Sequence, residues 1–194
     1  DLAGIKRVVV STYQAVSGAG REGIEELEDQ IRRWANGEDQ FKGEVFPYQI
    51  AFNLIPRIDA FHEGNYTKEE WKMVNETRKI FHSPDMKITA TTVRVPVFRS
   101  HSESINVGTE RKVSVEELRD ALSKAPGVVV VDDPANDRYP MPLFTSDTDE
   151  IYVGRIREDF TVPSGFNLWV VGDQIRKGAA TNAVQIAELV IKNQ

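Results

Sequence analysis

One stretch constrains the fold of this chain more than any other: Lys87-Ile-Thr-Ala-Thr-Thr-Val-Arg-Val-Pro-Val-Phe-Arg-Ser-His-Ser-Glu-Ser-Ile-Asn-Val107. Its first eight residues are rich in β-branched side chains, which fit a pleated, half-buried surface. Pro96 then breaks the run, because a proline cannot donate to a ladder, and a second strand follows. Arg94 lies inside the first strand. A guanidinium there is costly to bury unless an anion meets it. That anion is either an internal carboxylate such as Glu103 or the carboxylate of a ligand gripped by the guanidinium fork. His101, between Ser100 and Ser102 at the corner, is either a held imidazole that titrates near neutrality or an ordinary turn residue.

The remaining chain supplies helices to cover such a sheet. Lys6 to Thr12 reads as a short buried strand, and Tyr13 to Gly20 as a small-residue loop, either a plain turn or a cradle that lets a backbone or a phosphate come close. Ile24, Leu27, Ile31 and Trp34 recur at helical spacing over 20–36. Phe46 to Pro56 is apolar but interrupted by prolines, so it reads as an irregular segment and a candidate subunit contact. Thr67 with Glu70 and Ser114 with Glu117 are capping boxes, opening helices over 67–81 and 114–124. Glu69 and Lys72 share a face of the first of these, either as a surface ion pair or as part of a site. Val128 to Val131 reads as a buried strand. Ile151–Ile156 and Asn167–Val171 read as a hairpin turning at Pro163 to Gly165. The last helix covers about 176–192 and begins with small residues. Together these predict one α+β domain over 1–194, with a mixed, mainly antiparallel sheet and helices on one face. The Val- and Ile-rich strands show little polar alternation, which predicts a partner subunit on the other face.

Composition closes off several functions. The 194 residues carry a net charge of −6, the wrong sign for a nucleic-acid surface. No run of about 18 apolar residues offers a membrane span. There is no cysteine, hence no disulfide, no thiolate metal site and no thiol nucleophile from this chain. His62, His82 and His101 have no metal-binding spacing, so no metal is expected. The start lacks an initiator Met and a signal peptide, and the chain reads as cut from something longer.

Four ordered motifs carry a resemblance: Ser11-Thr-Tyr-Gln-Ala-Val-Ser-Gly-Ala-Gly20, Glu69-Glu-Trp-Lys72, Val93-Arg-Val-Pro-Val-Phe-Arg-Ser-His-Ser-Glu103, and Gly178-Ala-Ala-Thr-Asn-Ala-Val-Gln-Ile-Ala-Glu188. In combination they resemble the aspartate-semialdehyde dehydrogenases. The resemblance implies reduction of L-aspartyl phosphate by NADPH to aspartate semialdehyde through a cysteine thioester, on the route to lysine, threonine, methionine and isoleucine. It implies His101 as general acid/base, Gln14 orienting the acyl group, Arg94 on the substrate α-carboxylate, Glu69 on its ammonium and Lys72 on its phosphate. It implies Ser17, Gly18 and Asn182 at the cofactor, a homodimer or tetramer, and a cytoplasmic enzyme (plastid in a plant). The family's nucleotide-binding domain and its Asn-Cys region have no counterpart here, so the chain reads as the substrate-binding and dimerisation half. Residues 174–194 would form a helix that packs on the cofactor domain. Two alternatives stand beside this reading: a non-catalytic assembly domain of the same fold, and an N-acetyl-glutamyl-phosphate reductase. The second is disfavoured because an acetylated amine carries no charge for Glu69 to bind.

Overall fold

The computed structural model describes residues 2–192. Six strands form one sheet: β1 (Ile5–Gln14), β2 (Lys87–Arg94), β3 (His101–Thr109), β4 (Val128–Val130), β5 (Ile151–Glu158) and β6 (Gly165–Gly172). Their spatial order is β2-β1-β3-β6-β5-β4. The β1–β2 and β4–β5 pairs are parallel and the three pairs between them antiparallel. The helices are α1 (Gly20–Ala35), α2 (Lys68–Ile80), α3 (Val115–Ser123), a single turn α4 (Pro142–Thr145) and α5 (Thr181–Lys192). This is the mixed, mainly antiparallel α+β sheet that the pattern predicts. Residues 193 and 194 of the expected last helix lie outside the described residues. Among the described residues no helix is long and apolar enough to cross a membrane.

Register fixes which side chains share a face. Val10, Thr12 and Gln14 on β1 lie beside Ala90, Thr92 and Arg94 on β2. Through β3 the same face carries Val107, Ile105, Glu103 and His101, and through β6 Phe166, Leu168, Val170 and Gly172. Here α3 packs, with Leu118 and Leu122 lining a cavity with Val107, Phe166 and Leu168. α2 comes to the same face, where Thr67 meets Thr92 through their hydroxyls. The opposite face carries Ser11, Thr91, Ser104 and Asn106. Its alternation is therefore cleaner than the Val and Ile runs suggest. Part of it is covered where Trp169 stacks on Tyr13 and donates to the Pro140 carbonyl.

Both capping boxes form. In α2 the Glu70 carboxylate does more than close the cap. One oxygen accepts from the backbone of Thr67 at 2.7 Å, and the other accepts from the backbone of Thr92 on the outer edge of β2 at 3.0 Å. Ile55 exchanges both backbone hydrogen bonds with Arg94 further along that edge. The Phe46–Pro56 segment makes only this one bridge to the sheet, as its prolines predict. Its apolar residues Phe46, Ile50, Ala51 and Ile55 form a buried cluster with Val16 and Leu27.

Three expectations need correcting. The Val128–Val131 strand is not buried: β4 is an edge strand, and Val129 faces solvent. The apolar stripe of α1 is buried only at its start, with Ile31 and Trp34 exposed. The loop expected from Tyr13 starts later, because β1 runs on to Gln14, whereas the last helix does begin at Arg176, as a π turn over Arg176–Ala180 that leads into α5.

Candidate active site

The end of the sheet where β1 and β2 stop and β3 begins gathers the polar groups that the sequence singles out. Gln14 and Arg94 are register partners, and Ser102 lies opposite Tyr13, so His101 follows at the same end. The corner before His101 is made by Ser100, whose φ of 69° places it in the left-handed region. A non-glycine residue there costs on the order of 1 kcal/mol. Full burial and a 3.1 Å hydroxyl contact with Ser146 hold it. The strain turns the imidazole back onto the helical face.

His101 accepts a hydrogen bond at Nδ1 from the backbone of Ala15 at 3.1 Å. Burial, then the charges of Arg94 and Lys72, hold its pKa down at about 3, against an opposing pull from Asp173. The imidazole is therefore neutral at pH 7, a proton acceptor rather than a resident cation. It does not titrate near neutrality in this chain, which corrects that sequence expectation; desolvation is the dominant reason.

Arg94 is buried, donates to the Ala15 carbonyl at 2.6 Å and has the Phe46 ring at 5.7 Å from its guanidinium carbon. Burial lowers its pKa, partly offset by Glu69. Among the described residues it has no carboxylate at ion-pair distance. The internal partner weighed from sequence, Glu103, does not meet it: Glu103 is pushed up by burial alone and lines a different cavity with His101, Val170 and Gln174. Arg94 instead lines a cavity of about 540 Å³ with Phe46, Arg57 and Asp59.

The helical pair closes on this group from α2. Glu69 accepts from the Gln14 amide at 3.3 Å and pairs with Lys72 at 3.5 Å. The pair is thus more than a surface bridge, since one end reaches a buried strand residue. Gly18 sits against both charged groups: a Cβ built on it would stand 2.7 Å from Arg94 Nη1 and 3.4 Å from His101 Cε1. Ser17 is buried, and its hydroxyl accepts from the Gln174 amide at 2.6 Å. Asn182 is exposed on the first turn of α5 and lines neither of these cavities. So Gln14, Ser17, Gly18, Glu69, Lys72, Arg94 and His101 come together, and Asn182 does not join them.

Sequence reasoning missed a second tier of residues. Asp173, fully buried at the end of β6, accepts from Arg99 at 2.7 Å and from the backbone of Asp147 at 2.8 Å and Ile175 at 2.9 Å. It supplies the one charge that raises the His101 pKa. Gln174, next to it, has a buried Oε1 with no hydrogen-bond partner among the described residues. The only signal was a polar pair directly after an apolar strand, Val170-Val-Gly-Asp-Gln174.

Comparison with known proteins assigns the fold to a family. The family model described as "Semialdehyde dehydrogenase, dimerisation domain" matches residues 1–177. The aspartate-semialdehyde dehydrogenase of Aquifex aeolicus is 58% identical over 99% of this chain and 56% of its own length. A crystal structure of aspartate semialdehyde dehydrogenase II from Vibrio cholerae, 46% identical, superposes with a TM-score of 0.93 over 98% of this chain and 56% of that one. A second structure of the Vibrio enzyme is complexed with ASA. The enzyme from Candida albicans, solved with NADP, is 26% identical with a TM-score of 0.66 over 96% of this chain and 50% of that one. The chain thus spans just over half the length of the relatives it matches. With the family model covering most of the chain and a relative 58% identical along 99% of it, the chain belongs to the semialdehyde dehydrogenase dimerisation-domain family.

Proposed function

We propose that this chain is the substrate-binding and assembly half of an aspartate-semialdehyde dehydrogenase, which takes L-aspartyl phosphate and NADPH to L-aspartate 4-semialdehyde, phosphate and NADP in the cytoplasm. The observation that carries the reading is Arg94. Its buried guanidinium has no carboxylate at ion-pair distance among the described residues and faces an open cavity beside a neutral imidazole. A fixed fork in a desolvated site suits a substrate carboxylate. Glu69 suits the α-ammonium, and Lys72, more exposed on the same helix, suits the phosphate as a point charge. Gln14, tied to Glu69, orients the acyl oxygen. His101, with Nδ1 occupied by Ala15, exchanges its proton at Nε2. It takes the proton of an attacking thiol and returns one to the product. The chain has no cysteine, so that thiol comes from outside these residues.

The site fits a nicotinamide cofactor, which supplies the hydride when bound. Gln174 Oε1 is a buried acceptor awaiting a donor, in a cavity walled by Ile151, Val170 and Gly172. Ser17 positions that amide from the other side, and Gly18 leaves room for close approach. Asn182 and the exposed apolar residues of α5, including Val184, Ile186 and Val190, would then face the nucleotide domain. The family description supports association of two copies; the sheet face that carries Ser11, Thr91 and Ser104 is the surface we assign to it.

The test is kinetic, in the full-length protein. Arg94→Ala raises KM for aspartate semialdehyde on the order of 100-fold, the cost of leaving a buried charge partner unpaired. His101→Ala lowers kcat on the order of 100-fold or more with KM little changed. The isolated chain oxidises no NADPH. Near-normal kinetics in both variants would remove the assignment.

A further inference from the structure

Two side chains of α1, Glu26 and Gln30, do the work of a missing strand. Among the described residues the segment 44–51 has no ladder partner, so the backbone N–H groups of the exposed Glu44 and Val45 and of the buried Phe46, Ile50 and Ala51 turn to side-chain acceptors. One Glu26 carboxylate accepts from three consecutive N–H groups: Glu44 at 3.3 Å, Val45 at 2.5 Å and Phe46 at 3.4 Å. Its other oxygen is braced by the Gln30 amide at 3.0 Å. Gln30 Oε1, buried, accepts from Ile50 at 3.0 Å and Ala51 at 2.9 Å. The segment fixed in this way holds Arg94 twice. Ile55, at its far end, locks the Arg94 backbone at 2.9 Å and 3.0 Å. Phe46, at its near end, holds the guanidinium against its ring. Glu44, Val45 and Phe46 also wall the cavity into which Arg94 opens.

We propose that Glu26, a helix away from any substrate atom, is a positioning residue for substrate binding: it fixes Phe46 against the Arg94 guanidinium and so aims the fork at the substrate carboxylate. This rests on the reading of Arg94 given above. A guanidinium released from its ring neighbour keeps its charge but samples more rotamers, and the order lost in the free protein must be restored on binding. The loss falls on ground-state and transition-state binding alike, so it shows in KM rather than in kcat.

The experiment uses the full-length enzyme with aspartate semialdehyde as the varied substrate. Glu26→Ala and Phe46→Leu are each expected to raise KM about tenfold, with kcat within about twofold. The double variant is expected to be no worse than either single one, because both act through one contact. Glu26→Gln keeps the size and one acceptor oxygen, so its KM falls between wild type and Glu26→Ala; it carries the test if the alanine variant does not fold. Additive effects in the double variant overturn the proposal. So does a lowered melting temperature with an unchanged KM. If Arg94→Ala itself leaves KM unchanged, the functional reading fails. If Arg94→Ala raises KM while the Glu26 and Phe46 variants leave it unmoved, only the positioning role fails.

Discussion

The backbone N–H of Ala15 donates to Nδ1 of His101 while the Ala15 carbonyl accepts from Arg94. One peptide-flanking residue therefore orients both the imidazole and the guanidinium. Ala15 is fully buried between the end of β1 and the turn at Val16, so the two groups are set by the fold itself. Nε2 is the ring nitrogen left to exchange protons.

The depressed His101 pKa, about 3 against an ordinary 6.5, makes stability pH-dependent with a definite sign. Between these values the unfolded chain binds a proton at this imidazole that the folded chain does not. Stability rises with pH across that window and is lost as pH falls from 6.5 toward 3. Denaturation midpoints measured at pH 7 and pH 4.5 should fall less in His101→Asn than in the unsubstituted chain. An NMR titration should show His101 neutral at pH 5.

Glu70→Ala should be among the more destabilising single changes on α2. It removes the reciprocal half of the cap and leaves the buried Thr92 N–H without a partner. The expected loss is about 2–3 kcal/mol, read from urea midpoints at constant slope. Glu70→Gln should recover part of it.

Gly18→Ala should damage binding without damaging the fold. The added methyl would stand 2.7 Å from Arg94 Nη1, and the long side chain yields more readily than backbone. KM for the semialdehyde should rise about tenfold while the melting temperature stays within a few degrees.

The isolated chain should sediment as a dimer at micromolar concentration. Ser11→Arg, at the centre of the face opposite α3, should shift it to monomer, since an unpaired charge in a sheet-to-sheet contact is costly. A wild-type chain that sediments as monomer would contradict assembly through this face.

The parts legible in the sequence were those where local chemistry and final structure coincide. Thr67 with Glu70 and Ser114 with Glu117 announced two helix starts because the capping groups lie within four residues of each other. Arg94 in a β-branched strand announced the need for an anion, but the sequence left open whether Glu103 or a ligand supplies it; only the folded chain shows that Glu103 lines another cavity. Glu69 and Lys72 were legible as a pair, but not as neighbours of Gln14, 55 residues away in sequence. Asp173 and Glu26 were illegible for a related reason. Each looks like one acidic residue among 30, and its role comes from backbone N–H groups that only the folded chain brings to it. The exposure of β4 was missed because a run of valines has the same composition at an edge as in the middle of a sheet. The lowered His101 pKa was not legible because the burial that causes it comes from elements distant in sequence that pack on the corner.

The Glu70 carboxylate and the Ile55 bridge have a consequence for how such chains associate. Together they occupy the outward-facing N–H groups of Thr92 and Arg94, which would otherwise recruit a foreign strand. At the opposite margin β4 offers only three residues. Both margins are thus poor templates for growth by backbone pairing, which leaves a face of the sheet as the surface over which the proposed pairing of two copies would close.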